Sequence, residues 1–323
     1  MIGAVTTAEG TMLDSVLDAA CRTAGGVLSR RAYGTFHAAR MKTSWGSRHQ
    51  QRFALVEGND ILASAERYNL SGSFDGRAVR VCGIGSVFTE PSQRGHGHAR
   101  RLVEALVHDA EREEAEVALL FPPVDFDEDV RRGFRPMSLT DVSLAVTESS
   151  RHGAPMTMMR AGEERDLAAI VAMGRVRAEP FRFHLDRDSD FIQYVITTRR
   201  LLAGLGPAHA RKLQFFIAEE GITAAAYVVI SVVGDMWTVE ECGDRDASGA
   251  RVGALLQALI AREPGERRPT IRAWLPPRFM PPQVTIASAA PSTDTVWVRT
   301  LGSRAIVPPL SAEDVLFWRN DIL

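Results

Sequence analysis

Residues 83–107, GIGSVFTEPSQRGHGHARRLVEALV, constrain this chain more than any other stretch. A run of small and apolar residues ends in a bare loop of Arg, Gly and His, and the loop opens into an amphipathic pattern. Ala78–Phe88 reads as a strand. Ala99, Leu102, Val103, Leu106, Val107 and Ala110 recur at helical spacing, with Glu104, Asp109, Glu111 and Arg112 on the other face. Glu116–Phe121, EVALLF, is short and strongly apolar, as a central parallel strand is. Strand, loop, helix and strand in this order predict a mixed α/β domain.

The flanking chain fits that unit. Leu13–Ala24 and Arg31–Met41 read as helices separated by Gly25 and Gly26. Arg52–Gly58 and Ile61–Leu70 read as strands joined at Gly58, Asn59 and Asp60, and Asp141–Val146 is one more strand. At Glu148–Pro155 the pattern lapses into linker composition and then begins again. A helix at 165–178 precedes strands at Leu213–Glu220 and Ile222–Val233, then MWTVEECG, a helix carrying Val252, Leu255, Leu256, Leu259 and Ile260, and the strand TIRAWLP. Leu102 to Leu119 is 17 positions and Leu255 to Ile271 is 16, so order and spacing repeat while the residues barely do. The reading is two tandem domains, 1–150 and 155–323, which suits a length of 323 residues.

The loop has a chemical reading. A helix N-terminus offers unpaired backbone N–H groups and the positive end of a dipole, which suits an anion. Gly95 and Gly97 let the backbone approach a ligand, small Ala99 does not block it, Arg94 adds charge, and His96 and His98 add donors. Together they describe a pyrophosphate cradle; a plain surface turn is the other reading. No Gly-Lys-Ser/Thr Walker loop and no G-x-G-x-x-G dinucleotide fingerprint is present.

Arg94-Gly95-His96-Gly97-His98-Ala99 resembles motif A, R/Q-x-x-G-x-G/A, of the GNAT superfamily of acetyl-CoA-dependent N-acetyltransferases. The preceding SVFTEP, with Val87, Phe88 and Thr89, resembles the family strand whose backbone pairs with the pantetheine arm. The resemblance covers roughly residues 52–134. It implies a splayed mixed sheet flanked by helices, with acetyl-CoA as co-substrate in the splay. The tandem layout resembles two groups, the fungal lysine N-acetyltransferases and the enhanced-intracellular-survival-type aminoglycoside acetyltransferases. In the second half the equivalent loop is CGDRDASGARVG. There Asp244 and Asp246 would repel a dianion, and helix capping is the better reading, so this half is expected to be degenerate and not to bind CoA.

Acetyl transfer needs a deprotonated amine, a polarised carbonyl and a proton for the thiolate. Backbone N–H groups near Val87 and Phe88 can polarise the carbonyl if the resemblance holds. The positions where many relatives carry a strand Glu or His fall near Val81 and Gly83, which cannot take a proton. Gly83, Ile84, Gly85 and Ser86 suggest a roomy, weakly polar channel. The Tyr that many relatives place before a GF element is replaced near Asp129, leaving Tyr68, Tyr33 or water as acid. Glu66 is a candidate base, or a solvated strand carboxylate. His37 is expected near the substrate lip, or facing solvent. Asp125 and Asp127 follow EVALLF and either give a cationic amine an anionic lip or start a helix. The apolar tail with Phe317, Trp318, Ile322 and Leu323 is expected to dock. By resemblance to the enhanced-intracellular-survival-type enzymes, the Leu323 carboxylate can supply the base; simple packing is the alternative.

The predicted function is acetyl transfer from acetyl-CoA to a primary amine of a small molecule, lysine-like or aminoglycoside-like, in a ternary complex. The alternative is a non-catalytic acyl-CoA sensor. A peptide or protein lysine stays open as acceptor. Selection among acceptors is expected to lie in loops such as Asn69–Arg77. A net charge of −2 argues against a broad nucleic-acid-binding field. No run of about 18 apolar residues predicts a membrane span. The start of the chain lacks the features of a signal peptide. Cys21, Cys82 and Cys242 form no metal-type pair or disulfide framework, which points to a reducing cytoplasm, and no His pair has zincin spacing. A homodimer is compatible with these features and not specified by them.

Overall fold

The computed structural model describes residues 3–24, 28–122, 128–137, 139–147, 158–207, 210–264, 268–302 and 310–323. The chain divides into two compact units. The first comprises Met1–Ser138, Thr293–Ser311 and Ile322–Leu323; the second comprises Leu139–Ser292 and Ala312–Asp321.

In the first unit, β1 (Ala4–Thr7) is followed by α1 (Gly10–Ala24), α2 (Arg30–Met41) and α3 (Ser44–His49). Three antiparallel strands come next, β2 (Gln50–Glu57), β3 (Asp60–Phe74) and β4 (Arg77–Thr89). α4 (His98–Arg112) then crosses to β5 (Val117–Leu120), which lies parallel to β4. Beyond β5 the sheet continues with a late strand, Trp297–Thr300, and then β6 (Arg135–Pro136). β3 and β4 run as one long hairpin to Asp75 and Gly76, both at positive φ, the two-residue turn that suits the twist of paired strands. Asn69–Arg77 is therefore strand and tight turn, not the long substrate-selecting loop expected of it.

The sheet has two unlike faces because side chains alternate along each strand. Ala63 and Ala65 of β3, Cys82 and Ile84 of β4, and Ala118 and Leu120 of β5 pack with Leu102, Val103, Leu106, Val107 and Ala110 of α4. The opposite face carries Glu66 and Tyr68 of β3 beside Gly85 and Gly83 of β4, their cross-strand partners. This second face is also buried.

The second unit repeats the plan. Its elements are β7 (Thr140–Val146), β8 (Met158–Ala161), α5 (Leu167–Ala178), β9 (Phe183–Leu185), α6 (Ser189–Leu205), β10 (Lys212–Glu220), β11 (Thr223–Val233), β12 (Met236–Asp244), α7 (Ala250–Ile260), β13 (Thr270–Ala273) and β14 (Val284–Pro291). The sheet order is β14-β7-β13-β12-β11-β10-β8, and only β12 and β13 are parallel. α7 thus matches α4, as the sequence spacing predicted. The duplication is a property of the fold: mixed sheets, each with a parallel pair joined through a crossover helix.

The border between the units does not fall in the linker. Asp141–Val146, read as a strand of the first domain, lies in β7, which pairs with β13 and β14 of the second unit. The matching place beside β5 is taken by Trp297–Thr300, from the other end of the chain. The residues 148–155 read as linker lie outside the described residues. A fragment of residues 1–150 therefore lacks the strand that covers β5 and carries β7 without partners. Expressed alone, it is expected to show no cooperative thermal unfolding by circular dichroism. A sharp transition like that of the full chain would overturn this assignment.

Candidate active site

β4 and β5 hold together over four residue pairs, Val81–Val117 to Ile84–Leu120, closed by a hydrogen bond from Phe121 N–H to Ile84 O at 2.8 Å. The parallel register runs no further. At the same point β4 gains a residue against β3, since Glu66 pairs with Gly85 but Ser64 pairs with Phe88. Ser86 in this bulge has φ +48°, uncommon for a residue with a side chain. The bulge turns the backbone of Val87, Phe88 and Thr89 out of regular register, next to the end of the β4–β5 ladder.

A short 3-10 turn, Pro91–Gln93, leads from there to Arg94. Gly95 and Gly97 have φ of +80° and +73°, and a Cβ at either would meet nothing within 4 Å, so conformation rather than crowding favours glycine at both. Gly97 caps α4 without any side-chain hydrogen bond, and the first turn holds no acidic residue. The first N–H groups of α4 have no helical acceptors, and Gly97 has no side chain to offer them one. His96 and His98 stack with ring centroids 5.8 Å apart. Burial, together with nearby Arg101 and His96, holds the His98 imidazole below its usual value. His98 Nδ1 is buried and has no hydrogen-bond partner among the described residues. This end of α4 is open to an anion.

The counterpart in the second unit is closed. Asp244 Oδ2 accepts from Arg251 N–H at 2.8 Å, Asp244 Oδ1 accepts from Asp246 N–H at 2.9 Å, and Ser248 Oγ accepts from Ala250 N–H at 3.3 Å. A Cβ on Gly249 would lie 2.7 Å from the Phe279 ring. The acidic loop caps α7, as its sequence suggested.

Beneath β4 in the first unit lies a buried charge cluster. Glu66 is 1% exposed. It accepts from Arg52 at 3.0 Å, from Arg40 at 3.3 Å and from the Tyr68 hydroxyl, and His37 Nδ1 lies 3.4 Å from it. Burial pushes the Glu66 carboxyl up, but the Arg40 and Arg52 guanidiniums and the His37 contact outweigh it and hold the group well below the usual carboxylate range. Arg40 also donates to the Tyr68 oxygen at 3.1 Å. Trp45 stacks on Tyr68, and Phe121 meets it edge-on.

The glycine run on β4 is not a roomy channel. A Cβ on Gly83 would meet the Phe121 ring at 2.8 Å, and one on Gly85 would meet the main-chain oxygen of Leu323 at 2.8 Å. The space the glycines leave is taken by an aromatic ring and by the end of the chain. The residues before Leu323 are held within the second unit. Val315 and Leu316 pair with β9, Asn320 donates to Glu241 at 2.7 Å, and Asp321 pairs with Arg187 at 3.0 Å.

An acetyltransferase (GNAT) domain matches the sequence over residues 27–136. The chain carries a GNAT acetyltransferase domain. Solved structures extend the likeness in fold. A GCN5-related N-acetyltransferase from Anabaena variabilis superposes with a TM-score of 0.67 over 92% of this chain and 72% of that one, at 12% identity. Eis1 from Mycobacterium abscessus gives 0.56 over 93% and 74%, at 13% identity. The Saccharomyces cerevisiae N-myristoyltransferase, solved with bound myristoyl-CoA, gives 0.55 over 94% and 83%, at 8% identity. No curated protein matches by sequence. The mixed α/β fold is that of GNAT N-acetyltransferases, and the matched stretch is an acetyltransferase (GNAT) domain.

Within the first unit the expected site residues fall in three places. Val87, Phe88, Thr89 and Arg94 to Ala99 run from the bulge to the first turn of α4. Glu66, Tyr68 and His37 meet in the buried cluster; His37 is 6% exposed, so it is not on an open lip. Leu323 stands against Gly85. Asp125 and Asp127 lie outside the described residues. Sequence reasoning missed Arg40, Arg52 and Phe121. Arg52 had a signal, because it is the direct cross-strand partner of Glu66 and opposite charges pair well across strands.

Glu66 contributes stability through its lowered proton affinity. An unfolded glutamate titrates near about 4.3. This contribution is complete above that value and is lost as pH falls through the lower folded value. Glu66→Gln would remove the carboxylate that the buried Arg40 and Arg52 guanidiniums share, at a cost of about 3–5 kcal/mol. Denaturant unfolding across pH checks this: the variant should be less stable at neutral pH and flatter on the acid limb. Equal stability at pH 7 would show the cluster to be inert.

Proposed function

We propose that this protein transfers an acetyl group from acetyl-CoA to a primary amine of a small molecule, lysine-like or aminoglycoside-like, by direct attack in a ternary complex. The observation that carries the reading is the contrast between the two helix ends. α4 begins with an uncapped Gly97, open glycines and Arg94, whereas side chains fill the same place before α7.

In this reading the N–H groups of Gly95 to Ala99 and the Arg94 guanidinium hold the pyrophosphate, and the backbone of Val87 to Thr89 aligns the pantetheine arm. Acetyl-CoA supplies a thioester whose carbonyl carbon is attacked by the amine nitrogen, the carbon–sulfur bond breaking as the thiolate leaves. Backbone N–H groups at Val87 and Phe88 polarise the carbonyl oxygen. The Leu323 carboxylate takes the amine proton; its position against Gly85 supports that role. The Tyr68 hydroxyl, beside Arg40, returns a proton to the thiolate, and Glu66 orients Tyr68. A carboxylate with two arginine partners is a weak base, which favours Leu323 over Glu66 for the first step. His37 and Asp125 complete the substrate side of the reading. Unbridged Cys82 and Cys242, whose thiols burial pushes up, suit a reducing cytoplasm.

One observation favours a second reading, an acyl-CoA sensor without turnover: neither Val81 nor Gly83 can act as base, and Glu66 is committed to its ion pairs. Thiol release from acetyl-CoA against a panel of amines separates the two. Release stimulated by one amine is expected; calorimetric binding of acetyl-CoA without release from any amine would support the sensor.

Two variants test the assignments. Arg94→Glu changes an exposed side chain and should weaken acetyl-CoA at least about tenfold. Deletion of Leu323 draws the terminal carboxylate back by about 3.8 Å. It should cut kcat about a hundredfold with acetyl-CoA affinity kept. An unchanged kcat would remove Leu323 from the mechanism.

A further inference from the structure

The second unit carries a hollow that the acyl-transfer reading leaves unused. A cavity of about 340 Å³ is bounded by α5, the loop after β12 and the chain at residues 277–278. An adjoining lobe of about 410 Å³ shares Met173, Val176, Asp244 and Arg245 with it. These volumes fall within the range of small-molecule sites.

Its charge is lopsided. Arg177, Arg245 and Arg278 line the first lobe, and the acidic residues on its wall are Asp244 and Glu313. Asp244 is already committed: its carboxylate accepts from two backbone N–H groups and pairs with Arg251 at 3.1 Å. Glu313 is exposed. None of the three arginines has a carboxylate within ion-pairing distance among the described residues. Arg177 is half-buried over the Phe279 ring, 4.1 Å from its centroid, and reaches only the Ala247 carbonyl at 3.4 Å. Burial depresses its proton affinity, as expected for a cation short of counter-charge. Arg245 donates to the Thr223 hydroxyl at 3.2 Å, again a neutral partner.

The rest of the wall is apolar. Met173, Pro180, Phe181 and Pro277 line it, and Val176 is 72% exposed at its edge. A large aliphatic side chain left this open beside guanidiniums that lack a carboxylate suits a ligand with a greasy body and an anionic head. The pyrophosphate of CoA is a poor fit, because the first turn of α7 is capped by Asp244 and Ser248.

We propose that the second unit holds a binding site, separate from the acyl-CoA site of the first, for a small carboxylate with an apolar body. Arg177 and Arg245 grip the carboxylate, Arg278 adds charge at the mouth, and Met173, Val176 and Phe181 receive the chain. The site stands whether or not the first unit is a transferase.

Calorimetry on the full-length protein tests it with three probes of one body and different heads: octanoate, octanol and octylamine. Octanoate should saturate a single site, and octanol and octylamine should bind at least about tenfold more weakly. Arg177→Gln should weaken octanoate by at least about tenfold. Val176→Glu should do the same by placing a carboxylate at an exposed position where folding is not at stake. A matched thermal melt checks that both variants are folded. Arg94→Glu should leave octanoate binding unchanged. The proposal is overturned if octanoate does not bind, if octanol binds as well, if folded Val176→Glu binds octanoate like wild type, or if Arg94→Glu abolishes binding.

Discussion

The first unit depends on where β4 and β5 stop pairing. The parallel ladder gives both strands their backbone partners up to Ile84 and Leu120, and Phe121 closes it. Past that point β4 pairs among the described residues with β3, where the bulge at Ser86 shifts the register by one residue. A strand edge carries N–H and C=O groups in need of partners. A bare helix end carries N–H groups of the same kind. One short stretch of chain places both side by side, so a ligand with an amide-bearing arm and a phosphate head can satisfy them together.

The opposite face of the same sheet follows a different rule. There the β4 glycines leave room, and the fold fills it from far along the sequence, with the Phe121 ring at Gly83 and the terminal residue at Gly85. The charges beside them, Glu66 with Arg40 and Arg52, are buried as a set. A buried ion pair adds little net stability over an apolar replacement, but its partners cannot be removed singly without large cost. The cluster therefore holds α2 to β2 and β3 in one arrangement and keeps the Tyr68 hydroxyl oriented.

The two units show how one plan takes two uses. Both have a bulge in the strand before the crossover helix and a left-handed glycine at that helix's start. In the first unit the glycine stands in open space; in the second it lies under Phe279, and Asp244 supplies the anion from within the chain. Beside it lies an arginine-lined hollow.

Much of this was legible from sequence. The hairpins, the crossover helices and their repeat come from short-range periodicity, and the observed α4, α7 and flanking strands follow it. The conformation of the loop before α4 was legible too, because Gly95 and Gly97 take the left-handed backbone that glycine permits. The opposing character of the 244–249 loop was readable from its carboxylates. What local pattern does not carry is register and partnership at long range. The placement of Thr140–Val146 in the second sheet, of Trp297–Thr300 in the first and of Leu323 at Gly85 depends on which exposed edge or gap each segment can satisfy. Glu66 read as a candidate base or a solvated strand carboxylate, and His37 as a lip or solvent-facing residue, because a charged side chain is seldom buried without partners; burial arrived with Arg40 and Arg52, whose charges only the packed strands and α2 bring within reach. Sequence by itself determined the elements and the glycine-rich loop before α4, since both are set within a few residues. Tertiary structure decided the strand exchange, the buried charge set and the position of the chain terminus, because each needs groups dozens to hundreds of residues apart to satisfy one another.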